Sequence, residues 1–143
     1  MIRTPQSIRG VGLIEILVTV LVMSIGLLGA GALLSSSLRV SQSSLDRTHA
    51  GTLASEILDR MRTNPNAART GSYNVAIGAA GGGGGQIGAD LQAWKNRLAL
   101  ELPTGDGGVA CTGNPIVCTV TIQWDDQRAG GSGTEQFVVV SRP

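Results

Sequence analysis

The residue with the clearest chemical meaning is Glu15, a carboxylate at the start of a long apolar stretch. Residues 16–34 carry no formal charge, and a helix of that length, rising about 1.5 Å per residue, spans the roughly 30 Å hydrocarbon core of a bilayer. A carboxylate near hydrocarbon costs on the order of 2.5–3.5 kcal/mol. Glu15 is therefore either a functional group that needs a partner or an acid at headgroup depth, where the dipole of the first helical turn favours it.

Two cysteines, Cys111 and Cys118, flank a segment with the composition of a turn, residues 112–115. Their spacing predicts that the two thiols face each other across a hairpin. In an exported domain, where the compartment is oxidising, we expect them to form a disulfide. A structural zinc site needs four ligands, which the two cysteines and the distant His49 do not supply. His49, the single histidine, is predicted to be a satisfied or half-buried packing residue.

The remaining residues show no pattern that is typical of a catalytic site. The sequence has no nucleophile-elbow, zinc-protease or phosphate-loop motif, so we expect no catalytic site and no cofactor. Asp125 and Asp126 are adjacent, and neighbours on an extended chain point to opposite faces. Three roles remain open for them: capping a turn, pairing with Arg128, and binding calcium.

Charge and aromatic content argue against nucleic acid as a partner. The formal net charge of the chain is +1, and the sequence contains no large basic cluster. Only four aromatic side chains occur, which is few for a platform on which bases stack.

The element that carries Glu15 continues as an amphipathic helix. Over residues 35–64 the apolar positions recur mostly four apart, as on one face of a helix. This predicted apolar stripe consists of Leu38, Leu45, His49, Leu53, Ile57 and Met61. Because a proline disfavours helical geometry in the residue before it, the helix is predicted to end at Asn64. The pattern indicates one long helix, half of it in lipid and half against a folded domain.

Residues 65–143 are predicted to form that domain. The glycine-rich run 78–85 is predicted to be a flexible loop. Asp90 is placed to cap a short helix over about 90–101. Stretches rich in β-branched residues follow and predict an antiparallel three-stranded meander; they are residues 109–111, 117–124 and 136–141. The fold class is therefore α+β.

The N-terminal segment completes a recognisable pattern. Residues 1–10 contain Arg3 and Arg9, have no acid and end in Gly10. An ordinary secretory signal carries its apolar segment inside the removed piece, whereas here the apolar segment follows the glycine. This arrangement resembles the class III signal of type IV prepilins and pseudopilins. The resemblance implies cleavage between Gly10 and Val11 by a prepilin peptidase, methylation of the Val11 amine, and a role for Glu15 in registration during assembly. Where the family usually has Phe or Met followed by Thr, this chain has Val11 and Gly12.

The chain as a whole resembles the PilV-like minor pilins, the type IV pilus modification proteins. The matching segments are residues 53–64, the Trp94 helix with its end at residues 102–103, and residues 122–128; the glycine run is a departure. The resemblance implies a pilin-like fold with a leader over 1–10, a membrane and assembly helix over 11–34, its amphipathic half over 35–64 and a periplasmic domain over 65–143.

The same resemblance implies partners and a location. The expected partners are other minor and major pilins, the prepilin peptidase, the inner-membrane assembly platform and, before assembly, membrane lipid. The expected location is the inner membrane, crossed once with the C-terminal domain in the periplasm, and then the pilus. The subunit would prime or cap assembly and support twitching motility or adhesion.

Two other classes of protein remain open. A minor pseudopilin of a type II secretion system has the same signal and helix. An adhesive or receptor-binding module on the same anchor would differ from it in having a ligand surface. A plain single-pass anchored periplasmic protein is the simplest alternative and has no need of Glu15.

Overall fold

The computed structural model describes residues 12–142, so the predicted leader and the predicted cleavage and methylation positions, Gly10 and Val11, lie outside the described residues. Three helices precede three strands. The helices are α1 (Leu13–Thr63), α2 (Pro65–Arg69) and α3 (Gly85–Glu101), and the strands are β1 (Asp106–Thr112), β2 (Val117–Trp124) and β3 (Glu135–Ser141). A 3-10 turn, Gln127–Ala129, lies between β2 and β3. This is the predicted α+β fold, with a long N-terminal helix on a small antiparallel sheet.

The first part of α1 exposes all of its side chains. Residues 12–42 are solvent-accessible throughout, including the apolar residues of the uncharged run. In the part of the chain that the structure describes, α1 is the one helix long and apolar enough to cross a membrane. This segment has the length and composition of a single-pass anchor.

The second part of α1 buries one face against the sheet and α3. The buried side chains recur three and four residues apart, the spacing of one helix face; they are Asp46, Ala50, Leu53, Ala54, Ile57, Leu58 and Met61. The predicted apolar stripe is therefore correct from Leu53 onward and wrong before it. Leu45 is 51% exposed, and the neighbouring Asp46 takes the inward position instead.

The end of α1 follows the proline rule. The helix stops at Thr63, one residue before the predicted end at Asn64. Pro65 opens α2 at a position where its missing N–H costs nothing. The side chain of Asn64 accepts a hydrogen bond of 3.4 Å from the Ala67 N–H. A new short helix thus begins at Pro65.

The sheet has the strand order β1-β2-β3, with both pairs antiparallel, as predicted. On β2 the buried side chains alternate with half-exposed ones, and the buried set is Cys118, Val120, Ile122 and Trp124. This face packs against the buried face of α1 and forms the core. β1 begins at Asp106, three residues earlier than predicted.

The glycine-rich run is closely packed against α3. That helix begins at Gly85, so Asp90 lies inside it and the N-cap position belongs to Gly84, contrary to the predicted start at Asp90. A Cβ on Gly88 would lie 1.9 Å from the carbonyl oxygen of Gly83. A Cβ on Gly81 would lie 2.6 Å from the backbone nitrogen of Gln92. Glycine at these two places therefore permits backbone contact between the run and the helix.

Candidate functional site

Glu15 lies in the first turn of α1 and is exposed. Its backbone N–H donates a hydrogen bond of 3.0 Å to the carbonyl oxygen of Gly12, which begins the helix. The apolar residues beyond it are exposed as well, with Leu17 at 70% and Leu28 at 76%. We call Glu15 and the exposed residues 16–34 the apolar half. It is the part of the described chain that most needs a non-aqueous or protein environment, because large contiguous apolar surfaces mark interaction sites or membrane contact.

The two cysteines form the predicted disulfide. Cys111 and Cys118 are direct partners in the register between β1 and β2, and their sulfurs are bonded. Asn74 reinforces this end of the hairpin from outside the sheet. Its side-chain oxygen accepts from the Cys111 N–H at 2.7 Å, and its amide donates to the Cys111 carbonyl at 3.4 Å. The hairpin turn is therefore held at its base by a covalent bond and by a neighbouring loop.

His49 does not belong to the buried face of α1, where the sequence had placed it. Its side chain is 52% exposed, and Nδ1 lies 3.4 Å from a carboxylate oxygen of Glu101 on α3. Among residues 12–142, no group of three or more histidine, cysteine, aspartate or glutamate side chains is arranged to hold a metal ion. His49 therefore forms a polar contact at the surface between α1 and α3.

That contact is one end of a chain of charges between α1 and α3. Carboxylates and guanidinium groups alternate along it in the order Asp90, Arg60, Glu56, Arg97, Glu101, and the last carboxylate contacts the imidazole of His49. Arg60 lies 2.8 Å from Glu56 and 2.7 Å from Asp90. The predicted pair between Glu56 and Arg60 is therefore present, and it is shared with a second helix.

The charge chain affects the ionisation of its members. The hydrogen bond from Arg97 lowers the pKa of Glu101, with a smaller contribution from His49. The hydrogen bond to Glu56 raises the pKa of Arg60, which burial opposes and Asp90 supports. Exposed ion pairs are worth only about 0.2–1 kcal/mol each. The network therefore sets the orientation of α3 on α1 more than it stabilises the domain.

The two adjacent aspartates have different roles. Asp125 caps the turn, as predicted, because its Oδ1 accepts from the Gln127 N–H at 2.9 Å. Asp126 is only 4% exposed, and its Oδ2 accepts from the Ser43 hydroxyl at 2.7 Å. Among the described residues, neither aspartate forms an ion pair with Arg128. Asp126 joins the loop after β2 to α1, a contact that the sequence analysis missed and that no local pattern announces.

Lys95 is a second buried polar group that the sequence did not single out. Its ammonium lies 2.9 Å from Asp106 and donates to the carbonyl oxygen of Ala76 at 3.0 Å. It also donates to the carbonyl oxygen of Ala79. One side chain of α3 thus contacts the start of the glycine-rich run, the residues just before it, and the start of β1.

Asp106 responds to these neighbours. Burial acts to raise the pKa of its carboxyl group, but the Lys95 ammonium and the N–H groups of Gly78 and Gly107 outweigh burial, and the pKa is lowered. The cluster is a structural one, because all of its donors and acceptors are used within the fold.

Comparison of the chain with family models, with curated proteins and with solved structures returns no match in any of the three.

Proposed function

We propose that the chain is a minor pilin-like subunit that a prepilin peptidase processes and that enters a type IV pilus. The observation that carries the proposal is the division of α1. One half exposes an uncharged run with a single carboxylate at its start, and the other half, from Ala50 on, is built into a small disulfide-bonded α+β domain. Both an anchor and a folded head are needed by a subunit that waits in a membrane and then joins a filament.

Glu15 gives the anchor a further property. A plain membrane helix gains nothing from a carboxylate near hydrocarbon, where it is costly. A helix that leaves the bilayer to pack among copies of similar helices can pair the carboxylate with an amine, which offsets the loss of hydration of both groups. The proposal makes Glu15 a registration group, and the expected amine is the new N-terminus at Val11 of the same or a neighbouring subunit.

The head of the protein supports a structural role. Among residues 12–142, most of its polar clusters are ion pairs and turn contacts that join elements of the fold, as between Arg60 and Asp90 and between Lys95 and Asp106. The expected neighbours are other minor and major pilins and the inner-membrane platform that assembles them, and the expected outcome is priming or capping of the filament.

The decisive experiment is intact mass spectrometry of the chain from cell membranes and from sheared surface filaments. The expected result is loss of residues 1–10, with or without one added methyl group on Val11, and presence of the shortened chain in the filament fraction. A variant with Gly10→Val is the matched control, and it should stay full-length in membranes. An uncut wild-type chain that is confined to membranes would overturn the proposal and favour an ordinary anchored protein.

The same experiment separates the two filament systems. Sheared filaments from cells that lack a type II secretion system should still contain the shortened chain. Its disappearance from those filaments would indicate a minor pseudopilin instead.

A further inference from the structure

Basic side chains in the described part of the head fall into two groups. Most form an ion pair with a carboxylate; these are Arg47, Arg60, Arg62, Lys95 and Arg97. The second group has no carboxylate partner among residues 12–142 and consists of Arg39, Arg69, Arg128 and Arg142. An arginine without a carboxylate partner is ordinary on a protein surface. A binding role is therefore inferred only where such arginines lie together at one site.

Two members of the second group line the same cavity. Arg69 and Arg142 lie at a depression of about 460 Å³ whose other lining residues are Gly113, Asn114, Pro115 and Ile116. Among the described residues that line it, none is acidic. We call this depression the arginine cleft. Its volume is within the roughly 300–1,000 Å³ of typical ligand pockets and is larger than a single small ion requires.

The walls of the arginine cleft are held in place. Arg69 is the last residue of α2, a helix whose start is capped by Asn64. Other lining residues belong to the turn between β1 and β2, which is closed at its base by the bond between Cys111 and Cys118. Ile116, in that turn, packs against the hydrophobic core. A site with fixed walls loses less freedom on binding than a mobile one.

The chemistry of the lining selects the ligand. A guanidinium group binds carboxylates through paired, charge-assisted hydrogen bonds, and two such groups favour a ligand with more than one negative charge. Pro115 and Ile116 add apolar surface beside the charges, which suits the methylene groups of a glutamate side chain. None of the residues that line the arginine cleft belongs to the apolar half or to the charge chain between α1 and α3.

We propose that the arginine cleft binds an acidic peptide segment of a partner protein. This interaction goes beyond the proposed function and does not depend on processing at Gly10 or on filament assembly. The chain would therefore offer two independent contacts, the apolar half to helices or lipid and the cleft to an acidic segment.

The test uses the full chain in detergent micelles and three probes. These are an N-acetylated, C-amidated pentaglutamate peptide, the matching pentaglutamine peptide, and inorganic phosphate. Binding is measured by calorimetry and by changes in the backbone amide NMR signals of residues 69, 113, 114 and 116. The pentaglutamate peptide should bind and shift these signals, and its affinity should fall as ionic strength rises.

Variants locate the binding. Arg69→Gln combined with Arg142→Gln should weaken binding of the pentaglutamate peptide at least about tenfold, because both charge-assisted hydrogen-bonding groups of the cleft are removed. The matched control combines Arg39→Gln with Arg128→Gln, which removes the same charge outside the cleft and should leave the affinity within about twofold of wild type. All four side chains are outside the core, and circular dichroism verifies that both variants are folded.

Three outcomes would overturn the proposal. Equal weakening by the control pair would mean that net charge, and not the cleft, attracts the peptide. Equal binding of pentaglutamine would remove the role of the carboxylates. Tighter binding of inorganic phosphate than of pentaglutamate would assign the cleft to a small anion.

Discussion

The indole N–H of Trp94 donates a hydrogen bond of 2.9 Å to the backbone carbonyl oxygen of Leu53. Both residues are fully buried, and the bond joins the middle of α3 to the middle of the packed half of α1. A helix carbonyl already accepts one hydrogen bond within its own helix, so this second donor fixes where α3 crosses. Trp124, the other tryptophan, is also buried, but its indole N–H has no partner among the described residues.

This difference between two buried tryptophans gives a matched prediction. Trp94→Phe should lower the free energy of unfolding by the cost of a smaller side chain and of a lost hydrogen bond, together about 2–4 kcal/mol. Trp124→Phe removes the same volume and an unsatisfied donor, so its cost should be smaller by about 1 kcal/mol or more. Urea unfolding of the full chain in micelles, followed by circular dichroism, measures both. Equal losses would mean that the bond to Leu53 contributes nothing.

A substitution at Gly88 should reverse an ordinary rule. Replacing glycine by alanine inside a helix normally stabilises the helix by about 1 kcal/mol. At Gly88 the new methyl group would lie 1.9 Å from the carbonyl oxygen of Gly83. We therefore expect Gly88→Ala to destabilise the protein by about 1–3 kcal/mol, as overpacking does.

Gly82 is the control for that substitution, because its added methyl group would lie 3.7 Å from the nearest atom, a contact of ordinary length. Gly82→Ala should change the free energy of unfolding by less than about 1 kcal/mol. Thermal unfolding of both variants in the same micelles checks the pair. A more stable Gly88→Ala protein would show that the glycine run separates from α3 in solution.

Local sequence patterns predicted those elements whose neighbours are close in the chain. Alternation on β2, the turn between the cysteines and the proline after Asn64 are local signals, and each predicted its feature correctly. The register that pairs Cys111 with Cys118 follows from such a short turn.

Features that depend on distant residues could not be predicted in this way. On α1, Asp46 is buried where the pattern predicted Leu45. One turn earlier on the same helix, Ser43 donates a hydrogen bond to Asp126, a residue of the loop after β2. α3 begins at Gly85, in spite of the poor helix propensity of glycine, where the glycine run can lie against it. Arg69 and Arg142 are far apart in the sequence, and only the folded chain brings them to one cleft together with the hairpin turn.

Asp106 should make the stability of the head depend on acid pH. Its pKa is lowered in the folded protein, where burial is outweighed by Lys95 and by backbone N–H groups. A carboxyl group of this kind contributes stability that is complete above its ordinary pKa and is lost as the pH falls through the lowered folded value. The wild-type chain should therefore lose stability progressively below about pH 5.

Asp106→Asn tests this dependence. The variant should be less stable at neutral pH, because it leaves the buried Lys95 without its carboxylate, and its stability should fall less steeply between about pH 5 and pH 3. Asp59→Asn is the control, since Asp59 pairs with Arg62 in an exposed position. Unfolding midpoints across that range are compared. Parallel curves for wild type and Asp106→Asn would exclude Asp106 as a source of the acid sensitivity.

Substitutions of Glu15 should distinguish a subunit that assembles into filaments from a protein that is only anchored in the membrane. Glu15→Gln keeps the size of the side chain and removes its charge, and Glu15→Leu makes the whole start of the apolar half hydrophobic. Both variants should insert into the membrane, because removal of a charge favours insertion. Both should lower recovery in sheared filaments at least about tenfold, because the partner amine would then be buried without a carboxylate.

Thr19→Val is the control for Glu15. Thr19 lies about one turn further along α1, and its hydroxyl group donates to the carbonyl oxygen of Ile16 within the same helix. This substitution changes polarity in the apolar half without changing its charge, so filament recovery should stay near that of wild type. Quantitative immunoblots of membrane and filament fractions give the measurement. Full recovery of Glu15→Leu in filaments would mean that the carboxylate has no part in registration, and its absence from both fractions would show instead that Glu15 is needed before assembly begins.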